Sequence, residues 1–563
     1  MTQLMMRCLI MAALVAFAGP VAAQEGDAGE RLLEETRRAR ELEQLTRAPA
    51  GQVITTPEVL GVVAEIPCFP IDDIAVTGMT VYGTEDVASV LAGFRGQCLG
   101  QTSIGNLLAR LTARYADAGY ITTRAYVPAQ DISSRTLRIE VLEGRIEAYV
   151  YQQTDQDGNQ RAAPPRKIRS ALPQRTGDVF QLRDLEQGLE QMNRLRSSQV
   201  NANLIAGGAP GTSRVVLTEQ KSDTVRATFG LNNRGSNSSG KTQVSLGLEA
   251  DDLLRLNDSW SLSYSGAKDS NTLAMAVSVP YRKWLFSLNG SYSEELSALS
   301  PASDLFTQTA SVNLTAERLL FRNAQSKLYG FGRLGSYWNE RFVNVVALTP
   351  QHRSSARLGL RGEHRTDKAA YAGEASIAFG IKFGGADWTA AGAPAGSPHA
   401  DFAKLEARLT YVRPLKQGRQ LSVFMAGQYA DMALFANDQM TIGGWESVRG
   451  YAGHSVSGDS GAYFRTELSL VPVRFGETAT PDGPKSWLGR FRGGVRPFLF
   501  VDAGAVRAHA TRRSSGMLSG GVGFSGQAGR LIVNGALAVP LATAGGQARG
   551  SLTGYVGLFV RLF

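Results

Sequence analysis

At 563 residues the chain is too long for one ordinary domain, and we expect two or three. Its 62 glycines and its low share of charged residues, 19%, favour a sheet-rich protein over a helical one. The formal net charge of +9 is spread along the chain without a basic tract or a nucleic-acid-binding motif, so we expect no nucleic acid among its partners.

Residues 1–23 have the layout of a secretory signal peptide. Arg7 precedes an apolar run at 9–19, and residues 21–23 (Val-Ala-Ala) supply the small side chains of a cleavage site. The apolar run is too short for a membrane-spanning helix. We therefore expect this segment to be removed and the mature chain to be exported.

Residues 24–67 are expected to form a charged helix followed by a linker. The stretch 27–46 is rich in Glu and Arg and has few apolar positions, which is typical of a helix on a polar, solvated surface. Glycine and proline residues between 48 and 67 predict the linker. On composition alone, the helix can equally be a mobile N-terminal spacer.

The next part of the chain alternates between strand-like and helix-like patterns and predicts two small α+β units. The first unit, 68–145, contains a helix whose apolar face includes Ile104 and Tyr115. The second unit, 146–222, repeats the order around a helix at 182–195.

The cysteine count predicts one disulfide bond. Beyond the expected signal peptide the cysteines are Cys68 and Cys98. An even pair in an exported protein favours a bond between them, because the compartment is oxidising. The alternative is two free, buried thiols.

From 223 to 563 the helical pattern disappears, and apolar residues alternate with small or polar ones. Leu405 and Leu409, for example, alternate with Glu406 and Arg408. This period is typical of strands with one face toward lipid and the other toward a lumen, although a soluble sandwich gives it with the opposite sidedness. Because bilayer-spanning strands take about ten residues and turns about as many again, the sequence predicts a mainly β protein with an antiparallel transmembrane barrel of about sixteen strands.

Motifs in both α+β units resemble those of the TpsB family, the transporters of two-partner secretion, which includes the ShlB/FhaC-like haemolysin and haemagglutinin secretion proteins. These motifs are 96–99 (GQCL), 119–125 (GYITTRA), 142–146 (LEGRI) and 182–195 (LRDLEQGLEQMNRL). The resemblance implies that 68–145 and 146–222 are periplasmic POTRA domains ahead of the barrel. It also implies that the N-terminal helix is a plug of the barrel lumen.

POTRA domains can bind an extended client by adding it as a strand to an exposed sheet edge, which suits a client that is still unfolded. The resemblance makes the polar positions of the second unit's main helix candidates for client binding. These are Arg183, Asp184, Glu186, Gln187 and Asn193. Without the family, the same run is an amphipathic helix with its charges in water.

Two motifs in the barrel region resemble the lumen loop and the inner wall of the wider superfamily of outer-membrane protein insertases and translocases that carry POTRA domains. The loop motif is Val448, Arg449, Gly450 and Tyr451, and the wall motif is Phe500, Asp502 and Gly504. The resemblance implies that Arg449 pairs with Asp502 inside the lumen. Strand phase independently points Asp502 inward, because a charge facing lipid at mid-membrane costs a few kcal/mol. The alternative is a flexible extracellular loop and a solvated acid.

No catalytic set emerges from the sequence. The five histidines are scattered, without a nucleophile motif or metal-ligand spacing around them. We therefore expect no enzyme, no cofactor and no metal site.

These patterns together predict an outer-membrane transporter with its N-terminal domains in the periplasm. We expect a monomeric barrel that contacts membrane lipid and secretes an exoprotein partner. One alternative is an insertase for other outer-membrane proteins. A second is a passive porin, for which two periplasmic domains are unnecessary, and a third is an outer-membrane enzyme.

Overall fold

The computed structural model describes residues 28–46, 61–154, 160–162, 165–235, 240–300, 302–389, 396–474 and 494–563. The predicted signal peptide and the first part of the predicted linker lie outside these ranges. Within them, no helix is both long and apolar enough to span a membrane.

The N-terminal helix and the first α+β unit form close to their predicted positions. Their elements are α1 (Ala28–Thr46), β1 (Phe69–Ile71), β2 (Asp73–Thr77), α2 (Thr84–Ala92), β3 (Gln97–Leu99), α3 (Gln101–Asp117), β4 (Arg124–Tyr126) and β5 (Thr136–Leu142). The sheet has the order β2-β5-β4, with β2 and β5 parallel. The apolar face of α3 packs on this sheet through Leu107 and Leu111, which are fully buried.

A disulfide bond joins Cys68, just before β1, to Cys98 in β3. These two short strands pair antiparallel beside the main sheet of the unit. The bond therefore ties the first residues of the unit to the segment between its two helices.

Glu143, which follows β5, is a buried acid that holds the first unit together. Its carboxylate accepts hydrogen bonds from the backbone N–H of Thr80 at 2.8 Å and of Val81 at 2.9 Å, and from the hydroxyl of Tyr115 at 3.0 Å. The Thr80 hydroxyl also donates to it. Burial raises the pKa of the Glu143 carboxyl, but the hydrogen bonds outweigh it and hold that pKa below its usual value.

We expect Glu143→Gln to destabilise the first unit by about 1–3 kcal/mol, because an amide nitrogen would face N–H donors. The lowered pKa means that the carboxylate stabilises the folded unit fully above its unfolded-state pKa of about 4.3, and that this contribution is lost as pH falls through the lower folded-state pKa. Hydrogen exchange of β5 amides in the intact protein measures both effects. The exposed Glu85→Gln is the control, and equal exchange in the two variants would contradict this role.

The elements of the second unit are β6 (Arg145–Thr154), β7 (Gln160–Ala162), α4 (Pro165–Ala171), α5 (Leu182–Asn193), β8 (Ser198–Ala206) and β9 (Thr212–Lys221). They include a four-stranded sheet of order β7-β6-β9-β8, with β6 and β9 parallel. The main helix α5 buries Leu185 and Met192 against the sheet. Strand β7 and helix α4 are not predicted from the sequence, because the stretch that contains them is polar and lacks a clear period.

Sixteen antiparallel strands close into a barrel, which confirms the predicted fold class. They are β10 (Val225–Asn232), β11 (Gln243–Asp251), β12 (Ser259–Ala267), β13 (Ser270–Tyr281), β14 (Trp284–Ser300), β15 (Ser303–Arg322), β16 (Ser326–Val343), β18 (Gln351–Arg365), β19 (Ala370–Ile381), β20 (Ala403–Pro414), β21 (Gln420–Ala430), β24 (Ser460–Ser469), β25 (Val495–Ala508), β26 (Arg513–Ala528), β27 (Leu531–Pro540) and β28 (Thr553–Arg561). The short β17 (Val346–Ala347) pairs with β16 in a loop, and β22 (Met440–Ile442) pairs with β23 (Val456–Gly458) apart from the ring. Antiparallel pairing of β10 with β28 closes the barrel.

Strand β25 shows the sidedness of the barrel. Leu499 and Val501 are 45% and 47% exposed on the outside, whereas Phe500 and Asp502 are 3% and 0% exposed on the inside. An apolar outer face around a polar interior is the arrangement of a membrane barrel and the reverse of a soluble sandwich. The polar interior is the lumen that positions the candidate site.

Candidate functional site

The loop between β21 and β24, residues 431–459, turns back into the barrel; we call it the lumen loop. The hairpin of β22 and β23 forms its stem, and its tip carries Val448, Arg449 and Tyr451, each 0% exposed. Val448 and Tyr451 pack with Val506 of the wall and Met517 of the next strand. The loop therefore occupies the lumen and is not an exposed extracellular loop.

Arg449 is bound to the barrel wall from two sides. Its Nε lies 2.6 Å from Oδ2 of Asp502 and its Nη2 lies 2.8 Å from Oδ1, so the contact uses two parallel hydrogen bonds. Its Nη1 donates to Oε1 of Glu467 at 2.7 Å. The guanidinium also lies 3.8 Å from the centre of the Phe500 ring. This two-bond contact is typical of arginine, because two of its N–H donors match the two oxygens of a carboxylate.

The neighbours of Arg449 in the motif are held by backbone and hydroxyl contacts. The N–H of Gly450 donates to the Tyr555 hydroxyl at 3.1 Å, and Gly450 has a positive φ of 96°, which favours glycine. The Tyr451 hydroxyl lies 3.0 Å from the carbonyl oxygen of Leu518 and 2.8 Å from that of Ala542, and can donate its one hydrogen to either. The tip therefore contacts several wall strands besides β25.

The structure brings the loop motif and the wall motif together, including Gly504 of the wall. A Cβ at Gly504 would lie 2.9 Å from the Cβ of Tyr463, so the strand approach leaves no room for a larger residue. Sequence reasoning missed Glu467 as a second partner of Arg449. The sequence signal that could have indicated Glu467 is its position on β24: it lies two residues after Arg465 and therefore faces the lumen on the same side of the strand.

The far end of the lumen loop has a separate anchor at Asp459, which is 0% exposed. Its carboxylate accepts hydrogen bonds from the N–H of Leu434 at 2.7 Å, the side-chain amide of Gln439 at 2.9 Å and the N–H of His509 at 2.6 Å. These donors lie in the loop itself and beyond the end of β25. The loop is thus fixed at both its tip and its base.

Helix α1 lies inside the lumen, as the family resemblance implied. Arg37 forms an ion pair with Glu374 of β19 at 3.4 Å, and Glu34 forms one with Arg408 of β20 at 2.5 Å. The guanidinium of Arg38 donates to the backbone oxygen of Glu446 at 3.3 Å, which joins the helix to the lumen loop. A charged helix surface therefore meets a polar wall.

Glu249 of β11 connects the plug helix, the second α+β unit and the barrel. Its carboxylate lies 2.9 Å from Arg40 of α1, 3.3 Å from Arg196 of the second unit and 3.3 Å from Arg226 of β10. Arg196 also pairs with Glu43 of α1 at 2.7 Å. A single acid thus contacts three parts of the molecule.

The candidate client-binding residues of α5 are engaged within the chain. Asp184 pairs with Lys283 at 2.7 Å, and both Glu186 and Gln187 accept hydrogen bonds from Arg322, so these three contact periplasmic turns of the barrel. Arg183 pairs with Glu186 at 2.8 Å, and Asn193 exchanges hydrogen bonds with the backbone of Val200. Their role toward a client stays a prediction.

A buried ion cluster joins helix α4 to the barrel. The Nζ of Lys167 lies 2.7 Å from Glu219 of β9 and 3.1 Å from Asp252, in the turn between β11 and β12. Lys167 is 1% and Glu219 is 0% exposed. Burial raises the pKa of the Glu219 carboxyl, but Lys167 and hydrogen bonds from Ser198 and Tyr151 outweigh it and lower that pKa. The second unit is therefore docked firmly on the barrel.

Comparison with known proteins gives three family matches along the chain. The model for haemolysin secretion/activation proteins of the ShlB/FhaC/HecB type matches residues 211–526, more than half of the chain. A ShlB-type POTRA domain matches 69–144, and a second POTRA domain matches 145–205.

Individual relatives agree with these matches. The chain is 30% identical to the outer membrane transporter CdiB of Dickeya dadantii over 78% of each chain. It is 26% identical to the hemolysin transporter protein ShlB of Serratia marcescens over 80% of this chain and 79% of that one. The solved structure of CdiB from Escherichia coli superposes with a TM-score of 0.81 at 26% identity, covering 95% of this chain and 97% of that chain. The chain therefore belongs to the ShlB/FhaC/HecB family of haemolysin secretion/activation proteins and is an outer-membrane transporter of two-partner secretion with periplasmic POTRA domains.

Proposed function

We propose that this transporter captures an unfolded exoprotein in the periplasm through its POTRA domains and passes it through the barrel after α1 has left the lumen. The observation that carries this proposal is the way in which α1 is held. The contacts of Arg37 and Glu34 with the wall are made by side chains, and Arg365 reaches the backbone oxygen of Leu45 near the end of the helix. The closed strand ladder includes no residue of α1. The helix can therefore leave without opening the barrel.

The POTRA domains offer sheet edges for capture. Strand β8 is the outer strand of its sheet and pairs with β9 on one side only. An edge strand presents unpaired backbone donors and acceptors, to which an extended client adds as a further strand with little demand on its sequence. This proposal assigns 68–145 and 146–222 to the two POTRA domains and 223–563 to the barrel.

The same proposal treats the protein as a monomeric barrel in contact with outer-membrane lipid and without catalytic activity. Folding of the client outside the cell supplies the driving force, as the family resemblance implies. The partner is a secreted exoprotein, of the kind that the hemolysin transporter relatives export.

Deleting residues 68–222 tests this division of labour. We expect the variant to insert as a folded barrel and to export no client, because capture and conduction lie in separate domains. Export of the partner exoprotein is measured in cells at matched barrel levels, with deletion of 68–145 alone as a second variant. Normal export by the larger deletion would refute capture by the POTRA domains.

A further inference from the structure

The barrel lumen has two unlike walls. On β12 and β13 the lumen-facing side chains are uncharged, and hydroxyl and amide groups continue along β14 and β15, where Glu295 and Glu317 also line the lumen. Examples are Ser261, Ser263, Thr272, Ser287, Asn289 and Asn313. This side therefore offers few charged groups that could form ion pairs with a translocating chain.

The opposite side, which we call the arginine wall, consists of Arg333 on β16, Arg357, Arg361 and Arg365 on β18, and Arg408 on β20. On β18 the arginines follow one another every fourth residue, so they share the lumen face of the strand and lie about 13 Å apart along it. The wall therefore presents a row of guanidinium groups with carboxylates between them. Arg361 pairs with Glu317 and Glu363, and Arg408 pairs with Glu374.

One pair in this wall is unfavourable for the barrel itself. Arg333 and Arg357 are directly opposite each other in the register of β16 and β18, and both face the lumen. Like charges in directly opposed positions destabilise a sheet. Arg357 pairs with Glu406 at 2.7 Å, whereas Arg333 forms no ion pair within the described residues. The pair therefore has positive charge in excess of what the wall needs for its own stability.

The wall already binds a polypeptide segment in this structure. Glu34 of α1 pairs with Arg408, and the backbone oxygen of Leu45 accepts a hydrogen bond from Arg365 at 2.9 Å. The plug helix thus shows that a carboxylate and a backbone carbonyl are both groups that these arginines bind. When α1 leaves, these arginines lose those acceptors.

We propose that the arginine wall is the surface along which the translocating chain moves, and that its preferred partner is an extended polypeptide segment rich in carboxylates. The inference rests on the proposed function, because it names the chemistry of the segment that replaces α1. An extended chain advances about 13 Å in four residues, the same repeat as the arginines of β18. A carboxylate can therefore be passed from one guanidinium to the next, while the uncharged lumen face of β12 and β13 leaves the chain free to slide.

The test measures binding of two fluorescent 20-residue peptides, one of Glu-Ser-Ser-Ser repeats and one of Lys-Ser-Ser-Ser repeats, by anisotropy. The protein is the full chain and, in parallel, the chain lacking only residues 28–46, both in a zwitterionic detergent. We expect the glutamate peptide to bind the plug-free chain about tenfold more tightly than it binds the full chain. We also expect the plug-free chain to bind the glutamate peptide about tenfold more tightly than it binds the lysine peptide.

Substitutions then assign the site. The double variant Arg333→Gln with Arg357→Gln should weaken the glutamate peptide about tenfold, and Arg333→Lys with Arg357→Lys should retain most of the binding. Because the two arginines repel each other, their neutralisation should not unfold the barrel. Arg318→Gln, an exposed arginine that lies over Trp284 on the outer face, is the matched control and should change nothing.

Equal affinity for both peptides, or glutamate-peptide binding that is unchanged by the Arg333 and Arg357 glutamine variant, would overturn the inference. Export of the exoprotein is measured separately in cells. Normal export with unselective peptide binding would leave the proposed function intact and refute the arginine wall alone. Selective binding of the glutamate peptide without export of the exoprotein would support the arginine wall and refute the proposed function.

Discussion

Arg449→Ala should abolish most secretion while the barrel still inserts. The change leaves Asp502, which is 0% exposed, and Glu467 without the cation that both of them contact in the lumen. Breaking a buried pair in this way costs about 3–5 kcal/mol. We expect Arg449→Lys to fail as well, because an ammonium group cannot reproduce the two parallel hydrogen bonds to Asp502.

The measurement is export of the partner exoprotein at matched barrel levels for Arg449→Ala, Asp502→Ala and the double variant. If the two residues act as a unit, the double variant should be little worse than either single one. Asp431→Ala, an exposed acid in the same loop, should export normally. Full export by both single variants, or losses that simply add, would show that the tip of the loop is not held by this pair.

Lys167→Met should loosen the second POTRA domain from the barrel by about 3–5 kcal/mol, because Glu219 and Asp252 would lose their shared buried cation. Since this domain contacts α1 through Arg196 and Glu43, we also expect weaker retention of the plug helix and reduced export.

Hydrogen exchange of β9 amides in the intact protein measures the loosening. Lys221→Met is the matched control: its Nζ lies 3.9 Å from the same Asp252 and its side chain is 26% exposed. Because this contact is long and the Lys221 side chain reaches solvent, we expect it to contribute at most about 1 kcal/mol. If the two variants exchange at the same rate, the buried cluster does not hold the domain on the barrel.

Local patterns in the sequence determined the class of every large element. The alternation around Leu405 and Leu409 predicted lipid-facing strands, because the strand period of two assigns each residue to one face regardless of distant parts of the chain. The same rule placed Asp502 inside the barrel. The charged composition of 27–46 predicted a helix on a polar surface, and α1 has that character.

The pairing of Arg449 with Asp502 was predicted from residue motifs. The family resemblance of these motifs implies a long-range contact, which periodicity alone cannot predict. Glu467 was missed, since its phase placed it in the lumen but gave no indication of which residue it would meet. The polar positions of α5 were also recognised from the sequence. Their partners Lys283 and Arg322 were not predicted, because they are far away in sequence.

The sequence by itself therefore determined the order of helix, α+β units and barrel, a strand number of about sixteen, and the inward face of strands with clear alternation, such as β20 and β25. Only the tertiary structure decided which wall residues α1 contacts in the lumen, and that five arginines gather on β16, β18 and β20 while the lumen face of β12 and β13 is uncharged. It also decided that Glu249 joins three parts of the molecule. The physical reason is that strand and helix periods are set by neighbouring residues, whereas ion pairs between distant segments depend on how the closed barrel brings those segments together.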